Sequence, residues 1–366
     1  MTALRLIADD LTGALDAAAQ FVGLGGAIHC LWGEAALAAD PKTLPLRATL
    51  DASTREGSAE TAAERAAAMA PALSGLAFRK LDSLLRGHEA VEIAATFKAG
   101  SLPHAIIAPA FPAQGRATRG GRQFFLRDGE WHDTGVDLAA RLGALGIPVT
   151  LAKPGDKAPD GVSLWDAETE ADLAAIVEAG RSLPGAVLWC GTAGLAGALA
   201  GSPPPKPDLP GPVLGLFGTD HPVTTAQLAA AGPALLRLPE HAADKPARIT
   251  AHLERHGAAM VVADLPPGLP RAEAAARIEA CLAAAIEGLP RPGTLVVAGG
   301  ETLRGLADYL GAASLAVDGQ LLPGVPTSRL VGGRWDGVRV VSKSGAFGAI
   351  TLLRDLAAPT SSEAMP

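Results

Sequence analysis

Short runs of β-forming residues alternate with helix-forming stretches over almost the whole chain. The first apolar run, Leu4–Ala8, is followed by the Ala-rich stretch Gly13–Val22, and the same pattern then repeats. Strands that alternate with helices are typical of βαβ units, in which crossover helices join parallel strands. The alternation therefore predicts an α/β protein whose mainly parallel sheets are flanked by helices.

One proline-rich segment, Ser202–Pro212, interrupts this alternation. Proline fixes φ and lacks an N–H donor, so the segment cannot form a helix or a central strand, and a semi-extended linker is predicted. We therefore expect two domains, 1–201 and 213–358, joined by the linker and followed by a tail, 359–366. Ligands in such folds bind outside the carboxyl ends of the strands, which predicts a ligand cleft between the two domains.

The predicted elements lie on both sides of this linker. Before it, the predicted strands are Leu4–Ala8, Ala27–Leu31, Arg47–Ala52, Ala77–Leu81, His104–Pro109, Pro148–Leu151 and Val187–Cys190. The predicted helices there are Gly13–Val22, Ala59–Met69, Ala90–Phe97, Glu168–Arg181 and Ala193–Ala200. After it, the predicted strands are Val213–Phe217, Ala234–Leu238, Met260–Asp264, Leu295–Ala298, Ser314–Val317 and Val338–Val341. The helices that alternate with them are Thr224–Ala231, Ala247–His256, Arg271–Glu287, Thr302–Leu310 and Ala349–Leu356.

The bulk composition argues against several classes of protein. The 366-residue chain has a formal net charge of -7, whereas binding to nucleic acid depends on neutralising phosphates. Its three cysteines lie far apart, which predicts reduced thiols rather than a disulfide framework or a metal site. No signal peptide is evident, and no apolar run approaches the ~18 residues that span a bilayer. We therefore expect a cytoplasmic protein with small-molecule partners and no nucleic-acid or membrane partner; a homodimer is left open.

Charged residues gather at predicted strand ends in the first domain. Asp9 and Asp10 follow the first strand, and Arg55 follows the third. The turn after the fourth strand carries Arg79, Lys80, Asp82, Ser83, Arg86 and His88. Cationic side chains at one sheet edge suit an anionic substrate, because guanidinium and ammonium groups form strong hydrogen bonds with carboxylates. Helix capping by the aspartates and an ordinary solvated loop stay open as alternatives.

The segment Ala108–Phe125 carries arginine at every third position, at Arg116, Arg119 and Arg122. Two prolines and three glycines forbid a helix through most of it. The segment therefore predicts a loop, either over a binding crevice or simply exposed.

Three glycine-containing turns follow predicted strands of the second domain, at Gly215–Pro222, Val296–Gly305 and Val340–Ala349. A glycine turn at a helix N-terminus offers free N–H groups and a favourable dipole to phosphate. Three such turns in one domain favour a phosphate site over ordinary strand-to-helix turns. The chain contains neither a GxxxxGK[ST] P-loop nor a clean GxGxxG fingerprint, which argues against a Walker-type ATPase and a standard Rossmann dehydrogenase.

Five motifs occur in an order that resembles a known family. They are ADDLTGALDAA, RKLDSLLRG, APAFPAQGR, GGETLRG and KSGAFG, and they extend from residue 8 to about residue 353. In this order they resemble the four-carbon acid sugar kinase family, long known as a domain of unknown function. Its members use ATP to phosphorylate the terminal hydroxyl of acids such as D-threonate or 3-oxo-tetronates. The resemblance implies that the N-terminal domain holds the acid and that the C-terminal domain holds ATP.

The motif matches and the strand-end residues together give a set of expected site residues. Those expected at the acid are Asp9, Asp10, Arg55, Lys80, Leu81, Asp82, Ser83 and Arg86. Those expected at ATP are Gly218, Thr219, His221, Gly299, Gly300, Glu301, Thr302, Lys343 and Gly345. The chain departs from the family at Leu84, where threonine is usual, and at Thr219, in a turn where serines are common.

The resemblance implies a kinase mechanism, and phosphoryl transfer needs positioning, charge neutralisation and a group that takes or orients the hydroxyl proton. We expect Lys80, Arg55 and Arg86 to clamp a D-threonate, D-erythronate or 3-oxo-tetronate type of acid. Either Asp10 or Asp82 would accept the proton, and the glycine-rich turns would hold phosphates bridged by Mg²⁺. Two alternatives stay open: a non-catalytic two-domain sugar-acid binding protein and an atypical NAD(P)-dependent oxidoreductase.

Overall fold

The computed structural model describes residues 3–266 and 268–358. The chain forms two compact units, Met1–Pro205 and Lys206–Pro366, so the division lies inside the proline-rich segment. The predicted tail, 359–366, lies outside the described residues. Within the described part of the chain, no helix has both the length and the apolar character needed to cross a membrane.

The first unit contains one large parallel sheet and one small antiparallel sheet. Its strands are β1 (Leu4–Ala8), β2 (Ile28–Trp32), β3 (Arg47–Asp51), β4 (Leu76–Lys80), β5 (His104–Ala108), β6 (Arg116–Arg119), β7 (Arg122–Arg127), β8 (Glu130–Asp133), β9 (Val149–Ala152), β10 (Val162–Trp165) and β11 (Val187–Gly191). Its helices are α1 (Leu11–Gln20), α2 (Gly33–Leu37), α3 (Ala59–Met69), α4 (Glu89–Gly100), α5 (Leu138–Ala144), α6 (Glu170–Arg181) and α7 (Ala193–Ala200). Short 3-10 helices lie at Val22–Leu24, Ala70–Ala72 and Pro112–Gln114.

The large sheet of the first unit has the strand order β2-β3-β1-β4-β11-β5-β10-β9, and its neighbouring strands run parallel. Leu4 of β1 pairs with Arg47 of β3 on one side and with Leu76 of β4 on the other. Every residue of β1 and β5 is buried, as expected for parallel strands covered by helices on both faces. This register brings the carboxyl ends of β3, β1 and β4 side by side.

The second unit is also built on a mainly parallel sheet. Its strands are β12 (Val213–Phe217), β13 (Leu235–Pro239), β14 (Ala258–Asp264), β15 (Thr294–Ala298), β16 (Ser314–Leu322), β17 (Val325–Val331) and β18 (Arg339–Lys343). Its helices are α8 (Pro222–Ala230), α9 (Lys245–His256), α10 (Arg271–Ile286), α11 (Gly300–Leu310) and α12 (Leu352–Ala357), with a 3-10 helix at Gly232–Ala234. The strand order is β13-β14-β12-β15-β18-β17-β16, in which β17 runs antiparallel to both β18 and β16 and the other neighbouring pairs are parallel. The predicted α/β class is confirmed.

The prediction of a loop over Ala108–Phe125 is wrong. Most of its second half forms a hairpin of β6 and β7, to which β8 adds a third antiparallel strand. The two strands are joined by Gly120 and Gly121, whose φ angles are 57° and 73°. A two-residue hairpin loop of type I′ requires positive φ at both positions, so the glycine pair turns the chain back on itself.

The third glycine-rich turn differs from the prediction as well. Lys343 ends β18, but the next helix, α12, starts only at Leu352 and is six residues long. This turn therefore does not present a helix N-terminus to a phosphate. Its possible contribution to a phosphate site is limited to its own backbone and to Lys343.

Candidate active site

Three neighbouring strand ends of the first unit carry the charged residues that the sequence singles out. Asp9 and Asp10 follow β1, Arg55 lies shortly after β3, and the turn Leu81–Arg86 follows β4. Because the strand order is β3-β1-β4, these side chains meet at one edge of the sheet. The sequence prediction of a shared charged edge is thus met by the geometry of this unit.

Arg55 is the centre of this cluster. Its Nε and Nη2 atoms donate to the two carboxylate oxygens of Asp9 at 2.7 and 2.8 Å. Its Nη1 lies 2.9 Å from Oδ2 of Asp10, and its Nη2 lies 3.7 Å from Oδ2 of Asp82. Burial alone would lower the pKa of Arg55, but the three carboxylates outweigh burial and raise it well above its usual value. A permanently charged guanidinium therefore holds three carboxylates together.

Asp10 serves both the helix and the cluster. It is the N-cap of α1, where its Oδ1 accepts the N–H of Gly13 at 2.8 Å and its Oδ2 accepts the hydroxyl of Thr12. The side chain of Asp10 is 19% exposed, compared with 1% for Asp9 and 6% for Asp82. Capping and site chemistry are therefore compatible, and Asp10 is the carboxylate that an incoming molecule reaches most easily.

Asp82 is tied to its own turn. Nε and Nη2 of Arg86 donate to its two oxygens at 2.9 and 2.6 Å, and the N–H of Leu84 donates at 3.0 Å. Burial acts to raise the pKa of Asp82, but the hydrogen bonds from Arg86 and the charge of Arg55 together lower it below its usual range. Asp82 is therefore an ionised anchor that holds the half-exposed Arg86 in place.

Lys80 places a buried ammonium beside the aspartates. The residue is 5% exposed, and its Nζ donates to the carbonyl oxygen of Leu81 at 2.7 Å. A Cβ at Gly13 would lie 2.5 Å from Oδ1 of Asp10 and 3.4 Å from this Nζ, so glycine leaves room for both groups. The charge of Lys80 helps to lower the pKa of Asp82. Lys80 itself forms no ion pair with any of the described residues. The side chain of Leu81 is buried in the hydrophobic core, so only its backbone is available to the site.

The β6–β7 hairpin contacts the turn after β4. Gln123 of β7 is buried and donates to the carbonyl oxygens of Ser83 and Pro109 at 2.8 and 3.1 Å. Its own Oε1 accepts the hydroxyl of Thr118 of β6 at 2.8 Å. The hairpin therefore fixes the backbone at Ser83, a residue that the sequence predicts at the acid.

Only one arginine of the predicted basic loop stays near this cluster. Arg119 and Arg122 form ion pairs at 2.7 and 3.1 Å with carboxylates of neighbouring surface segments. Arg116 lies close enough to Asp82 and Arg86 for their charges to act on its pKa, which burial lowers. The repeat of arginine at every third position thus does not define one anion site.

Sequence reasoning missed a buried ion pair next to the same turn. Arg79 of β4 and Glu92 of α4 are both fully buried, and their Nη2 and Oε2 atoms lie 2.8 Å apart. The hydroxyl of Thr54 donates to the other oxygen of Glu92, and Glu89 accepts the backbone N–H of Asp82. The available signal was a pair of glutamates three positions apart at the start of a helix, since such residues share one face.

Three adjacent parallel strands of the second unit, β12, β15 and β18, end in the glycine-rich turns. A Cβ at Gly218 would lie 2.6 Å from Oγ1 of Thr302 on α11. A Cβ at Gly345 would lie 2.9 Å from Cβ of His221 and 3.1 Å from Oγ1 of Thr219. The turns therefore pack directly against one another, and their glycines permit the close approach.

The GGET segment forms the start of α11. Gly299, its N-cap, has a φ of 99°, a conformation that favours glycine, and the helix extends for 11 residues from Gly300. The first N–H groups of a helix have no partner within the helix and attract anions. Glu301 is exposed and pairs with Arg304, so its carboxylate lies on the outside of this first turn.

Lys343 supplies a buried cation at these turns. The residue is 1% exposed, and its Nζ donates to the hydroxyl of Thr224 at 2.8 Å and to the carbonyl oxygen of Ser344 at 3.0 Å. Thr224 in turn donates to the carbonyl oxygen of Gly345 at 2.7 Å. Burial lowers the pKa of Lys343 to about 8. The lysine therefore ties α8 to the third turn while carrying a charge that a phosphate would stabilise.

The described residues were compared with what a metal ion needs. Within residues 3–266 and 268–358, no group of three His, Cys, Asp or Glu side chains could hold a metal ion. Mg²⁺ in phosphoryl-transfer sites usually keeps several waters and binds through phosphates and one or two carboxylates. The arrangement is therefore compatible with Mg²⁺ that arrives with a nucleotide.

Comparison with known proteins matches both parts of the chain to domain families. Residues 4–144 match a sugar-binding N-terminal domain, and residues 214–353 match a nucleotide-binding C-terminal domain. Two curated relatives, from Cupriavidus necator and Bordetella bronchiseptica, are both named D-threonate kinase. They are 33% and 31% identical to this chain, and each alignment covers 94% of both proteins.

Two solved structures share the fold. A Salmonella typhimurium LT2 protein, described as a candidate tRNA synthase, has a TM-score of 0.75 at 21% identity, covering 98% of this chain and 99% of its own. A Haemophilus influenzae protein of the family DUF1537 has a TM-score of 0.68 at 20% identity, covering 97% of this chain and 99% of its own. At these identities the similarity establishes the architecture alone.

The two matched domains define a sugar kinase with separate sugar-binding and nucleotide-binding domains. The chain belongs to the four-carbon acid sugar kinase family, and it is an enzyme of that class. The predicted family and the predicted enzyme class are thus confirmed.

Proposed function

We propose that the protein transfers the γ-phosphoryl group of ATP to the terminal hydroxyl of a four-carbon sugar acid of the D-threonate type. The observation that carries this proposal is the Arg55-centred cluster, in which a reachable carboxylate and a buried ammonium lie side by side in the sugar-binding domain. The names of the two curated relatives support D-threonate as the first acid to test.

Lys80 is the group that we assign to the carboxylate of the acid. Its ammonium is buried, lacks an ion-pair partner within the described residues, and lies beside Asp10. A carboxylate that replaced water next to this charge would form a charge-assisted hydrogen bond in a low-dielectric site. The guanidinium of Arg55 already has three carboxylate neighbours, so we assign it mainly to holding Asp10 in position.

Asp10 is the carboxylate that we assign to the hydroxyl proton. Both aspartates accept hydrogen bonds at both carboxylate oxygens. Asp10 is nevertheless the most exposed of the three carboxylates around Arg55, whereas Asp82 is buried and its pKa is lowered. A carboxylate with a strongly lowered pKa is a poor proton acceptor. In the reaction, the hydroxyl oxygen of the acid bonds to the γ-phosphorus, the bond to the β–γ bridging oxygen breaks, ADP leaves, and the hydroxyl proton passes to Asp10.

The second unit is where we assign the nucleotide phosphates. The N–H groups at the start of α11, the glycine turn at Gly218 and the ammonium of Lys343 offer donors and positive charge. Bound Mg²⁺ would neutralise phosphate charge as it develops during transfer. Gly345 would let the third turn approach the first closely enough for both to contact the same phosphate chain.

The proposal is tested with purified full-length protein in an assay that couples ADP release to NADH oxidation. The panel contains D-threonate, D-erythronate, L-threonate and 3-oxo-tetronates, each with ATP and Mg²⁺. We expect acid-dependent ADP release with the highest kcat/KM on one of these acids. ADP release that no acid raises above the background would contradict the kinase assignment, and acid binding without ADP release would indicate a binding protein instead.

A further inference from the structure

Glu89 stands apart from the acidic groups that the proposed mechanism uses. It is the first residue of α4 and is 2% exposed. Its side chain turns back so that Oε1 accepts the backbone N–H of Asp82. Its other oxygen, Oε2, is buried and has no hydrogen-bond partner within the part of the chain that the structure describes.

The surrounding charges leave Glu89 without a cation of its own. Arg79 is paired with Glu92 at 2.8 Å, and Arg55 holds Asp9 through two hydrogen bonds. Two buried guanidinium groups are thus already matched to two buried carboxylates, and Glu89 is a third carboxyl among them. A buried carboxyl without a compensating charge takes up a proton, because ionisation in a low-dielectric site is unfavourable.

The other neighbours of Glu89 do not alter this balance. Burial raises the pKa of Glu89 well above its usual value, and the negative charges of Asp9, Glu92 and Asp82 raise it further. These effects outweigh the hydrogen bond from the Asp82 N–H, which acts to lower the pKa. On the side of β11, burial raises the pKa of Cys190 to about 12, so this residue stays a neutral thiol. His88 turns its ring away, toward the carbonyl oxygen of Gly57 at 2.7 Å.

We propose that Glu89 is a protonated, neutral carboxyl in the working protein and that its neutral form positions the Asp82 turn for binding of the anionic acid. The second half of this inference rests on the proposed function, whereas the protonation does not. Through the N–H of Asp82, Glu89 acts on the turn that follows Lys80 and carries Arg86, so it is a positioning residue. Ionisation would add a negative charge beside Asp9 and would oppose an incoming carboxylate.

The protonation is tested without any ligand. An infrared difference spectrum between wild type and Glu89→Gln, recorded at neutral pH, should contain the C=O stretch of a protonated carboxylic acid. Glu60→Gln on α3 is the matched control, because Glu60 is exposed and the same glutamate-to-glutamine exchange should there remove the bands of an ionised carboxylate. A difference spectrum that contains carboxylate bands instead would overturn the proposal.

Stability against pH gives a second ligand-free readout. A carboxyl whose pKa is higher in the folded state contributes stability that is fully present below its unfolded pKa of ~4.3 and is lost as the pH rises through the folded pKa. As the pH rises, the unfolding free energies of wild type and of Glu60→Gln should therefore fall relative to that of Glu89→Gln. Urea unfolding at each pH measures these differences. Parallel pH profiles for wild type and Glu89→Gln would overturn the proposal.

The positioning role is tested by the pH dependence of KM and kcat with D-threonate as the probe. For wild type we expect KM to rise with pH by up to ~10-fold per pH unit above the pKa of Glu89, with kcat little changed. Glu89→Gln keeps an oxygen that accepts the Asp82 N–H, so its KM should stay low and flat. Glu89→Ala lacks that acceptor, so its KM should be raised at every pH.

The outcomes separate this inference from the proposed function. A KM for Glu89→Gln that is raised at every pH, like that of Glu89→Ala, would overturn the positioning role. If D-threonate is not phosphorylated by wild type, that result counts against the proposed substrate. The infrared and unfolding results then still decide whether Glu89 carries a proton.

Discussion

At the scale of single residues, the two candidate proton acceptors of the acid site differ in what holds them. Arg86 engages both oxygens of Asp82, whereas Asp10 shares Arg55 with Asp9 and keeps part of its side chain exposed. Burial and ion pairing thus distinguish Asp10 from Asp82 as proton acceptors, a choice that the sequence alone leaves open.

The first prediction concerns Asp10→Asn. Asparagine caps a helix about as well as aspartate, so α1 should persist, but it cannot accept the hydroxyl proton. We expect kcat to fall by ~10²–10⁴-fold, the usual contribution of a general base, with the fold retained as checked by circular dichroism. The control is Asp137→Asn, because Asp137 caps α5 through the N–H of Ala140 outside the cluster. Near-normal turnover of Asp10→Asn would remove Asp10 from this role.

The second prediction concerns the pH dependence of nucleotide binding through Lys343. Burial lowers the pKa of this lysine to about 8 from its ordinary value of 10.5. The protonated form is the one that attracts phosphate, so nucleotide affinity should be highest below this pKa. As the pH rises above it, Kd for ATP should increase by up to ~10-fold per pH unit, because binding must then take up a proton.

Isothermal titration with ATP and Mg²⁺ at pH 7 to 10 measures this dependence. Lys343→Met should bind more weakly at pH 7 and should lack the rise attributed to the lysine, since methionine fills a similar volume without a charge. Lys245→Met is a control in the same unit, because Lys245 is buried at the start of α9 and donates only to the carbonyl oxygen of Ala242 among its described contacts. A wild-type profile that matches that of Lys343→Met would contradict the prediction.

At the scale of elements, the hairpin of β6 and β7 fixes the turn that carries the acid-site residues. Gln123 forms the link, because its amide donates to the carbonyl oxygens of both Ser83 and Pro109. We expect Gln123→Met, which keeps the length of the side chain but not its donors, to leave two carbonyl oxygens unpaired. The predicted cost is ~1–3 kcal/mol of unfolding free energy.

The same substitution should raise KM for the acid with little change in KM for ATP, because Ser83 belongs to the sugar-binding unit. Urea unfolding and steady-state kinetics measure the two effects. Glu130→Gln on the exposed strand β8 should change neither. A stability loss without any change in KM for the acid would show that the hairpin supports the fold but not the site.

The elements that were predicted best from the sequence are those whose formation depends on a local sequence pattern. Leu4–Ala8 and Ala59–Met69 were placed at their observed bounds, because burial of an entire apolar strand and an Ala-rich helix capped by Ser58 both leave clear patterns. Val162–Trp165 and Val325–Val331 were missed, since short or antiparallel strands depend on partners distant in the chain. The hairpin was missed although its Gly-Gly pair is itself a turn signal.

For the candidate site, the sequence predicts which residues lie at strand ends but not which of them come together. Asp10, Arg55 and Lys80 could be placed at carboxyl ends, but their meeting depends on the strand order β3-β1-β4, which no local pattern specifies. The pairing of Arg79 with Glu92 and the unpartnered oxygen of Glu89 depend on the docking of α4 against β4. Such buried charges become visible only when distances are known.

At the scale of the whole molecule, the two units carry different chemistry. Residues 4–144 match a sugar-binding domain and contain the cluster around Arg55, whereas residues 214–353 match a nucleotide-binding domain and contain the glycine-rich turns. Each unit has its own set of parallel strands, with a buried lysine at their carboxyl ends. The division predicts that each ligand can be detected in its own unit in the absence of the other.

The last prediction follows from this division and uses amide hydrogen exchange of the full chain. Ligand contact reduces local opening, so exchange slows where a ligand binds. D-Threonate alone should slow exchange at the turns after β1, β3 and β4, and a non-hydrolysable ATP analogue with Mg²⁺ should slow it at the turns after β12 and β15. Lys80→Met should abolish only the first pattern and Lys343→Met should weaken only the second, because each removes a charge from one unit. Protection of the same turns by both ligands would contradict the assignment of acid and nucleotide to separate units, because each ligand should protect only the turns of the unit that binds it.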